Sequence, residues 1–176
     1  MGLQPPDYFV LPRHLDPRVV NSPAKPGMKR SRTPWTAKLR PGMEPEMAAD
    51  PKGRGQMLLP TPALVAQEIL TIPPGALLTV SALRFRMARR FQADLACPLM
   101  TGIFYIIIAG AAEEQLAAGQ PPLAPYWRVV LNDGTLSPKT PGGPEQQAER
   151  LRQEGHLISQ RRTRLQVADY QQHLAP

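Results

Sequence analysis

The feature that most constrains the fold is an uncharged stretch of eighteen residues, "LACPLMTGIFYIIIAGAA", at positions 95–112. A helical run of this length is the lower limit for spanning a bilayer. Pro98, Gly102 and Gly110 interrupt it, however, and the densest apolar part, residues 103–109, covers only about two helical turns. We therefore expect a helix buried in a protein core and no membrane partner, with a membrane span as the alternative.

The first 57 residues have a different composition. Prolines recur every few positions among mixed charges, and almost no hydrophobic periodicity is present. This pattern predicts a proline-rich basic arm, extended or largely disordered, over residues 1–57. The basic run "MKRSR" begins at Met28, which leaves Met1 and Met28 as alternative starts. Within the arm, Trp35 and Leu39 are spaced i, i+4, and we expect this short segment to dock on the body.

Residues 58–158 are predicted to form the folded domain. Thr61 followed by Pro62 signals a helix start, and Thr79 or Ser81 is the expected cap of a second helix. The stretch "YWRVVLNDGTLSP" predicts a strand, an Asn-Asp-Gly turn and a returning strand. A last helix is expected in "GPEQQAERLRQEGH", and residues 159–176 form a basic tail, either a short strand or an arm. The fold class is therefore mainly α with a small β-hairpin.

The charge balance favours polyanionic partners. The net charge is +7 and the isoelectric point is near 10.1, and clustered Lys and Arg side chains gain free energy by releasing the counterions condensed on nucleic acid. A single cysteine excludes an internal disulfide, and the amino-terminal sequence contains no secretory apolar segment. We expect a reducing, intracellular setting and cytoplasmic localisation.

Few residues are candidates for catalysis or metal binding. Cys97 lies among apolar residues, where a thiol is typically inert. The three histidines are scattered, and no metal-ligand spacing or phosphate-binding loop occurs, so we expect no metal and no cofactor. Asp94, Glu113 and Glu114 are interpreted as solvated charges at helix ends.

Two features of the sequence can be interpreted either as nucleic-acid contacts or as parts of the fold alone. Arg86, Arg89 and Arg90 share one face of the second predicted helix, either as a solvated surface or as phosphate contacts beside a helix-turn-helix. Tyr126 and Trp127 either anchor the core or stack on a base.

The order of these segments resembles a known family. "TIPPG" closes one helix, "LLTVSALR" opens the next, and "PYWRVVLNDGTLSP", "PGG" and "LRQEGH" follow in order. Together they resemble the DNA-binding domain of the O6-alkylguanine-DNA alkyltransferases and the alkyltransferase-like proteins over residues 60–157. The resemblance implies a winged-helix, helix-turn-helix domain that binds double-stranded DNA. It also places Tyr126 at the alkyl-accepting cysteine and Trp127 at the histidine that activates it.

These substitutions argue against the family reaction. A phenol has a pKa near 10 and lacks a histidine partner here, so it is a poor alkyl acceptor. We therefore expect no catalytic residue. The expected lesion pocket comprises Val80, Tyr126, Trp127 and Glu154. The expected DNA-binding residues are Arg84, Arg86, Arg89, Arg90 and Arg128.

Three functional hypotheses follow from the sequence. The first is a non-catalytic alkyltransferase-like protein that binds DNA and senses alkylated bases for other repair proteins. The second is a protein-interaction module that kept the scaffold and lost DNA binding. The third is a methylated-DNA alkyltransferase whose acceptor is Cys97.

Overall fold

The computed structural model describes residues 33–176 of the chain. Within that range the chain forms four α-helices and three small β-sheets. The helices are α1 (Pro62–Leu70), α2 (Val80–Arg90), α3 (Pro98–Ala117) and α4 (Gly143–Gln153). The strands are β1 (Glu46–Ala49), β2 (Gln56–Leu59), β3 (Leu78–Thr79), β4 (Leu95–Ala96), β5 (Val129–Val130), β6 (Ile158–Arg161) and β7 (Arg164–Val167).

The first two helices begin where the capping residues predict. The Thr61 hydroxyl accepts a hydrogen bond from the backbone N–H of Leu64 at 3.2 Å, and Pro62 is the first residue of α1. The Thr79 hydroxyl accepts from the backbone N–H of Ala82 at 3.1 Å and caps α2. Each cap satisfies one of the N–H groups that a helix start leaves without a helical partner.

The uncharged stretch lies mainly in α3, which contributes to the core as predicted. Tyr105, Ile108 and Ala112 are buried, and the helix packs against α1. By length and composition, α3 is also the one helix in residues 33–176 that could cross a membrane, and 44% of its apolar window is buried in the protein. Its amino-terminal half exposes Leu99 and Ile103.

The predicted disordered arm is wrong for residues 33–57, and residues 1–32, with Met28, lie outside the described range. Strand β1 pairs antiparallel with β2, which pairs in parallel with β4. Gly53 and Gly55 adopt positive φ in the connecting turn. Four-residue strands carry little periodicity of their own, and this sheet depends on pairing with β4, about 38 residues along the chain from β2. Local composition therefore could not predict it.

The segment around Trp35 docks on the body, which confirms that expectation. Its indole covers Gly110 of α3, where a Cβ would overlap the ring. The Glu114 carboxylate accepts hydrogen bonds from the backbone N–H groups of Trp35 (2.8 Å) and Thr36 (3.0 Å). Glu114 therefore caps the 3-10 turn Thr36–Lys38 and is not the solvated charge we expected.

The predicted hairpin over residues 126–138 is also wrong, although its turn is present. Residues Tyr126–Arg128 form a 3-10 turn, and β5 pairs in parallel with β3. The backbone N–H of Leu131 donates to the carbonyl of Thr135 at 2.9 Å, and Gly134 has φ +76° as the turn requires. The chain after the turn pairs with β7 and not with β5. A strand that is distant in sequence therefore takes the place of the predicted hairpin partner.

Strands β6 and β7 form an antiparallel hairpin within the segment expected to be a basic tail. The Leu136 N–H donates to the carbonyl of Leu165, and the Val167 N–H donates to that of Gly134, at 2.9 and 3.1 Å. Residues 170–176 also pack on the domain, because the Leu77 N–H donates to the carbonyl of His173 at 2.8 Å. The strand alternative for this segment is confirmed, and the domain extends beyond residue 158.

Candidate nucleic-acid interface

The five residues Pro125 to Val129, which carry the family resemblance, lie in the core. Two buried polar side chains fix their backbone. The Tyr105 hydroxyl donates to the carbonyls of Tyr126 (3.4 Å) and Val129 (3.2 Å), and the Gln147 amide donates to those of Trp127 (3.2 Å) and Val129 (2.8 Å). These bonds give the buried carbonyls of Trp127 and Val129 a partner and add to the bond that the Tyr126 carbonyl accepts from the Val129 N–H.

Tyr126 occupies the position of the family's acceptor and is fully buried, at 0% exposure. Its ring packs edge-on against Tyr105 and Trp127, with ring centroids 6.5 and 5.6 Å away. Its hydroxyl donates to Glu113 Oε1 at 2.9 Å, and the Glu113 carboxylate pairs with Arg150 at 2.9 Å. Glu113 is therefore part of a half-buried network with Tyr126 and Arg150 rather than a solvated helix-end charge.

The surroundings of Tyr126 keep its phenol protonated. Burial raises the pKa of Tyr126 well above its ordinary value, and the negative charge of Glu113 raises it further. A phenolate is the nucleophilic form of tyrosine, so both effects act against an alkyl acceptor at this position.

Trp127 and Arg128 both bind Glu154, a residue of the expected lesion pocket. The Trp127 indole N–H donates to Glu154 Oε1 at 2.7 Å, and the Arg128 guanidinium pairs with the same carboxylate at 2.8 Å. The Gly75 N–H donates to Oε2 at 3.2 Å. Burial opposes the carboxylate charge, but the donors from Arg128, Trp127 and Gly75 outweigh it and lower the pKa of Glu154.

Two of the predicted site assignments change in the structure. Arg128 points inward, since it also donates to the carbonyl of Ile72 at 2.6 Å, so it has a structural role and not the predicted DNA contact. The predicted lesion pocket is a packed region at its centre, because Tyr126 has no exposed surface and Trp127 is 9% exposed. Val80 begins α2 and is half-buried. Glu154 is also the C-cap residue of α4.

The predicted arginine face of α2 is only partly available. Arg84 donates to the Ser81 hydroxyl at 3.1 Å, and Arg86 donates to the backbone carbonyl of Pro176. Arg90 pairs with the buried Glu68 at 3.0 Å. Arg89 is exposed and makes no ion pair within residues 33–176. Of the four predicted α2 contacts, Arg89 is therefore the one best placed to reach a phosphate.

A second basic surface was not among the predicted sites. A cavity of about 410 Å³ lies between the β6–β7 turn and the Asn-Asp-Gly turn. Its lining residues are Asp133, Thr135, Arg161, Arg162, Thr163 and Arg164. The sequence signal was three arginines in four residues, "RRTR", in a segment that we interpreted only as a tail.

Cys97 immediately precedes α3 and is half-buried with a free thiol. Its backbone carbonyl accepts hydrogen bonds from the Thr101 N–H (3.0 Å) and hydroxyl (2.8 Å). No group of three or more His, Cys, Asp or Glu side chains in the described range could hold a metal ion.

Comparison with known proteins gives two similar solved structures. One is S. pombe Atl1 in complex with damaged DNA containing O6-carboxymethylguanine, and the other is S. pombe ATL in complex with DNA. They are 21% and 20% identical to this chain, with a TM-score of 0.47, and each match covers 65% of this chain and 94% of the other. No protein-family model matches the chain. No curated protein matches it either. These complexes are what the chain is similar to, and the sequence resemblance over residues 60–157 is to the same group of proteins.

Proposed function

We propose that this protein is a non-catalytic, alkyltransferase-like DNA-binding protein. The proposal rests on the burial of Tyr126 and Trp127, the two residues that the resemblance assigns to the reactive positions. Tyr126 and Trp127 are held in the core by Glu113 and Glu154, where neither can accept an alkyl group. The surface arginines, by contrast, are positioned to meet a polyanion, and the net charge of +7 favours that encounter.

The winged-helix interpretation is part of this proposal. Helices α1, α2 and α3 are consecutive, with α1 packed against both of the others, and the β6–β7 hairpin follows α4. This order supports a helix-turn-helix core with a hairpin wing. DNA would contact the exposed side of α2 at Arg89.

Sensing of alkylated bases, which the first sequence hypothesis includes, would be a further property beyond DNA binding. A flipped base stacks on aromatic side chains within a pocket. Here the Tyr126 and Trp127 rings are covered, so recognition of such a base requires movement of the network around Glu154. We therefore expect similar affinity for plain DNA and for DNA containing O6-methylguanine.

Fluorescence anisotropy with labelled plain and O6-methylguanine duplexes tests DNA binding and lesion recognition together. We expect binding to both that weakens as salt rises, because displaced counterions make the affinity salt-dependent. Absence of binding to either duplex at low salt would overturn the proposal. Tighter binding to the lesion would establish the sensing role.

Transfer of label from benzylguanine tests the non-catalytic assignment. We expect none, and Cys97→Ala is the matched variant because Cys97 is the one cysteine of the chain. Label on the wild type that disappears in Cys97→Ala would instead support the alkyltransferase hypothesis.

The exposed part of α3 favours a second candidate, a protein-interaction module that contacts other repair proteins. Leu99 and Ile103, one helical turn apart, are 71% and 48% exposed. Large exposed apolar side chains grouped on one helix often mark a protein contact. A repair protein that cross-links to this chain after nuclease treatment, but not to Leu99→Asp, would support this candidate.

A further inference from the structure

The tip of the β6–β7 hairpin concentrates positive charge in a very short segment. Arg161 and Arg164 are directly opposite each other in the strand pairing, and Arg162 and Thr163 form the two-residue turn between them. Opposite residues of a hairpin project their side chains on the same face. The two strand arginines therefore lie side by side, with a third arginine in the turn beside them.

This arrangement is unfavourable for folding. Like charges directly opposite in a strand pair destabilise it. Arg162 also has φ +56°, a left-handed conformation that is unfavourable for a residue with a side chain. Thr163 does not share this positive φ, so a turn built only for stability would carry Gly at the position of Arg162. Local strain of this kind is typical of functional positions.

The tip is also held in a fixed place. Val167, near the far end of β7, is buried, and its N–H donates to the Gly134 carbonyl. The neighbouring Asn132 side chain accepts from the Ser81 N–H at 3.0 Å, next to the start of α2. The hairpin is thereby joined to α2 through the Asn-Asp-Gly turn, so its arginines do not depend on a mobile segment for their position.

The arginines of the hairpin tip are exposed and at most weakly paired, so their charge can act on a ligand. Arg161 approaches Asp133 at 3.8 Å, too far for a hydrogen bond, and both side chains are about half exposed. Such a surface pair contributes little and is screened by salt. Arg162 and Arg164 are exposed and have no ion-pair partner among the described residues.

We propose that the hairpin tip, Arg161 to Arg164, is a second DNA contact that binds the phosphate backbone of a duplex. This rests on the proposed function. A duplex carries one negative charge per roughly 1.7 Å of its axis, so it can engage three neighbouring guanidinium groups at once. The contact is independent of base sequence and adds to that of Arg89 on α2.

The test compares the salt dependence of duplex binding in four proteins. Three are the wild type, Arg162→Gly, and the double variant Arg161→Gln with Arg164→Gln. The fourth, Arg152→Gln, is the matched control, because Arg152 is an exposed arginine on α4 that does not line the cavity at the tip. Each lost phosphate contact lowers the slope of log affinity against log salt by about 0.9, so the affinity loss between 50 and 200 mM salt shrinks about 3.5-fold.

We expect Arg162→Gly to lose about one contact and the double variant about two, while Arg152→Gln keeps the wild-type slope. Glycine accepts the left-handed turn, so Arg162→Gly folds even if the double variant does not. An unchanged slope in both hairpin variants, with a wild type that binds DNA, overturns this inference and leaves the proposed function intact. A wild type that does not bind duplex at all overturns the proposed function itself. Loss of binding to phosphatidylserine vesicles, with DNA binding unchanged, would assign the tip to a lipid surface and also overturn the inference.

Discussion

The segment Tyr126 to Arg128 and the hairpin tip Arg161 to Arg164 use charge in opposite ways. In the first, Arg128 is paired with Glu154 in the protein interior, with both side chains less than 15% exposed. In the second, three arginines lie together at the surface, and the one carboxylate that lines the same cavity, Asp133, is 3.8 Å from Arg161 in an exposed pair. Sequence shows arginine in both places. Burial and ion-pair partners therefore decide whether an arginine stabilises the fold or is free to bind a ligand.

The largest effect is expected on breaking the buried pair with Glu154→Ala. Removal of the carboxylate leaves the Arg128 guanidinium buried without its partner, which costs about 3 kcal/mol of unfolding free energy. Urea denaturation measures the loss. Glu149→Ala is the control, because its pair with Arg152 is exposed at 3.7 Å and contributes less than about 0.5 kcal/mol. Equal losses in the two variants would contradict the distinction between buried and exposed arginines.

A somewhat smaller loss is expected for Gly134→Ala, in the turn that joins the hairpin to α2. Gly134 has φ +76°, and a Cβ there would overlap the Tyr170 ring. We expect a loss of about 2–3 kcal/mol from backbone strain and steric overlap together. Gly119→Ala is the matched control, since its φ is +71° with no atom within 4 Å of the added Cβ, and it should lose only about 1 kcal/mol. If Gly134→Ala costs no more than Gly119→Ala, the turn does not fix the hairpin.

Acid should destabilise the buried region around Arg128 and Glu154 before it affects the hairpin tip. His156 is buried and its two ring nitrogens have no hydrogen-bond partner among the described residues. Burial, followed by the neighbouring His173 and Arg128, lowers the pKa of His156 below its ordinary 6.5, and Glu154 only partly offsets this. The unfolded chain then binds the proton more readily, so stability is complete above pH 6.5 and falls as pH drops.

The lowered pKa of Glu154 acts in the same direction at more acidic pH, since its stabilising charge is lost on protonation. Thermal unfolding midpoints measured from pH 7.5 to 5 check the sign. His156→Gln should flatten the dependence between pH 6.5 and 5. A midpoint that rises as pH falls over this range would contradict the assignment.

The smallest effect is expected for Arg162→Gly at the tip. Relief of the left-handed strain is offset by the greater freedom of glycine in the unfolded chain, so we expect a gain of about 0.5 kcal/mol or no change. Calorimetry measures it, with Arg164→Gln as a companion that removes only like-charge repulsion. Destabilisation of more than about 1 kcal/mol would show that the arginine serves the fold and not a ligand.

The four helices and two capping threonines were predictable because their signals are local. Thr61 beside Pro62, the i, i+4 apolar spacing, and glycine after the last helix act within a few residues. Strand pairing was not predictable in this way. Strand β5 pairs with β3, about fifty residues earlier, and the first sheet pairs β2 with β4. Two-residue strands carry no periodicity, so only distant contacts define them.

The sequence by itself determined which side chains stand at the positions that the resemblance assigns to the reactive cysteine and histidine. They are a tyrosine and a tryptophan, and neither is the nucleophile or the base of the expected reaction. Only the tertiary structure decided which charged side chains stay exposed and free to bind a ligand. Glu113, Glu154 and Arg128 are all charged in the sequence, but burial makes pairing obligatory, because an unpaired charge in the interior costs several kcal/mol. The exposed arginines of the hairpin face no such requirement, and their charge is left to a ligand.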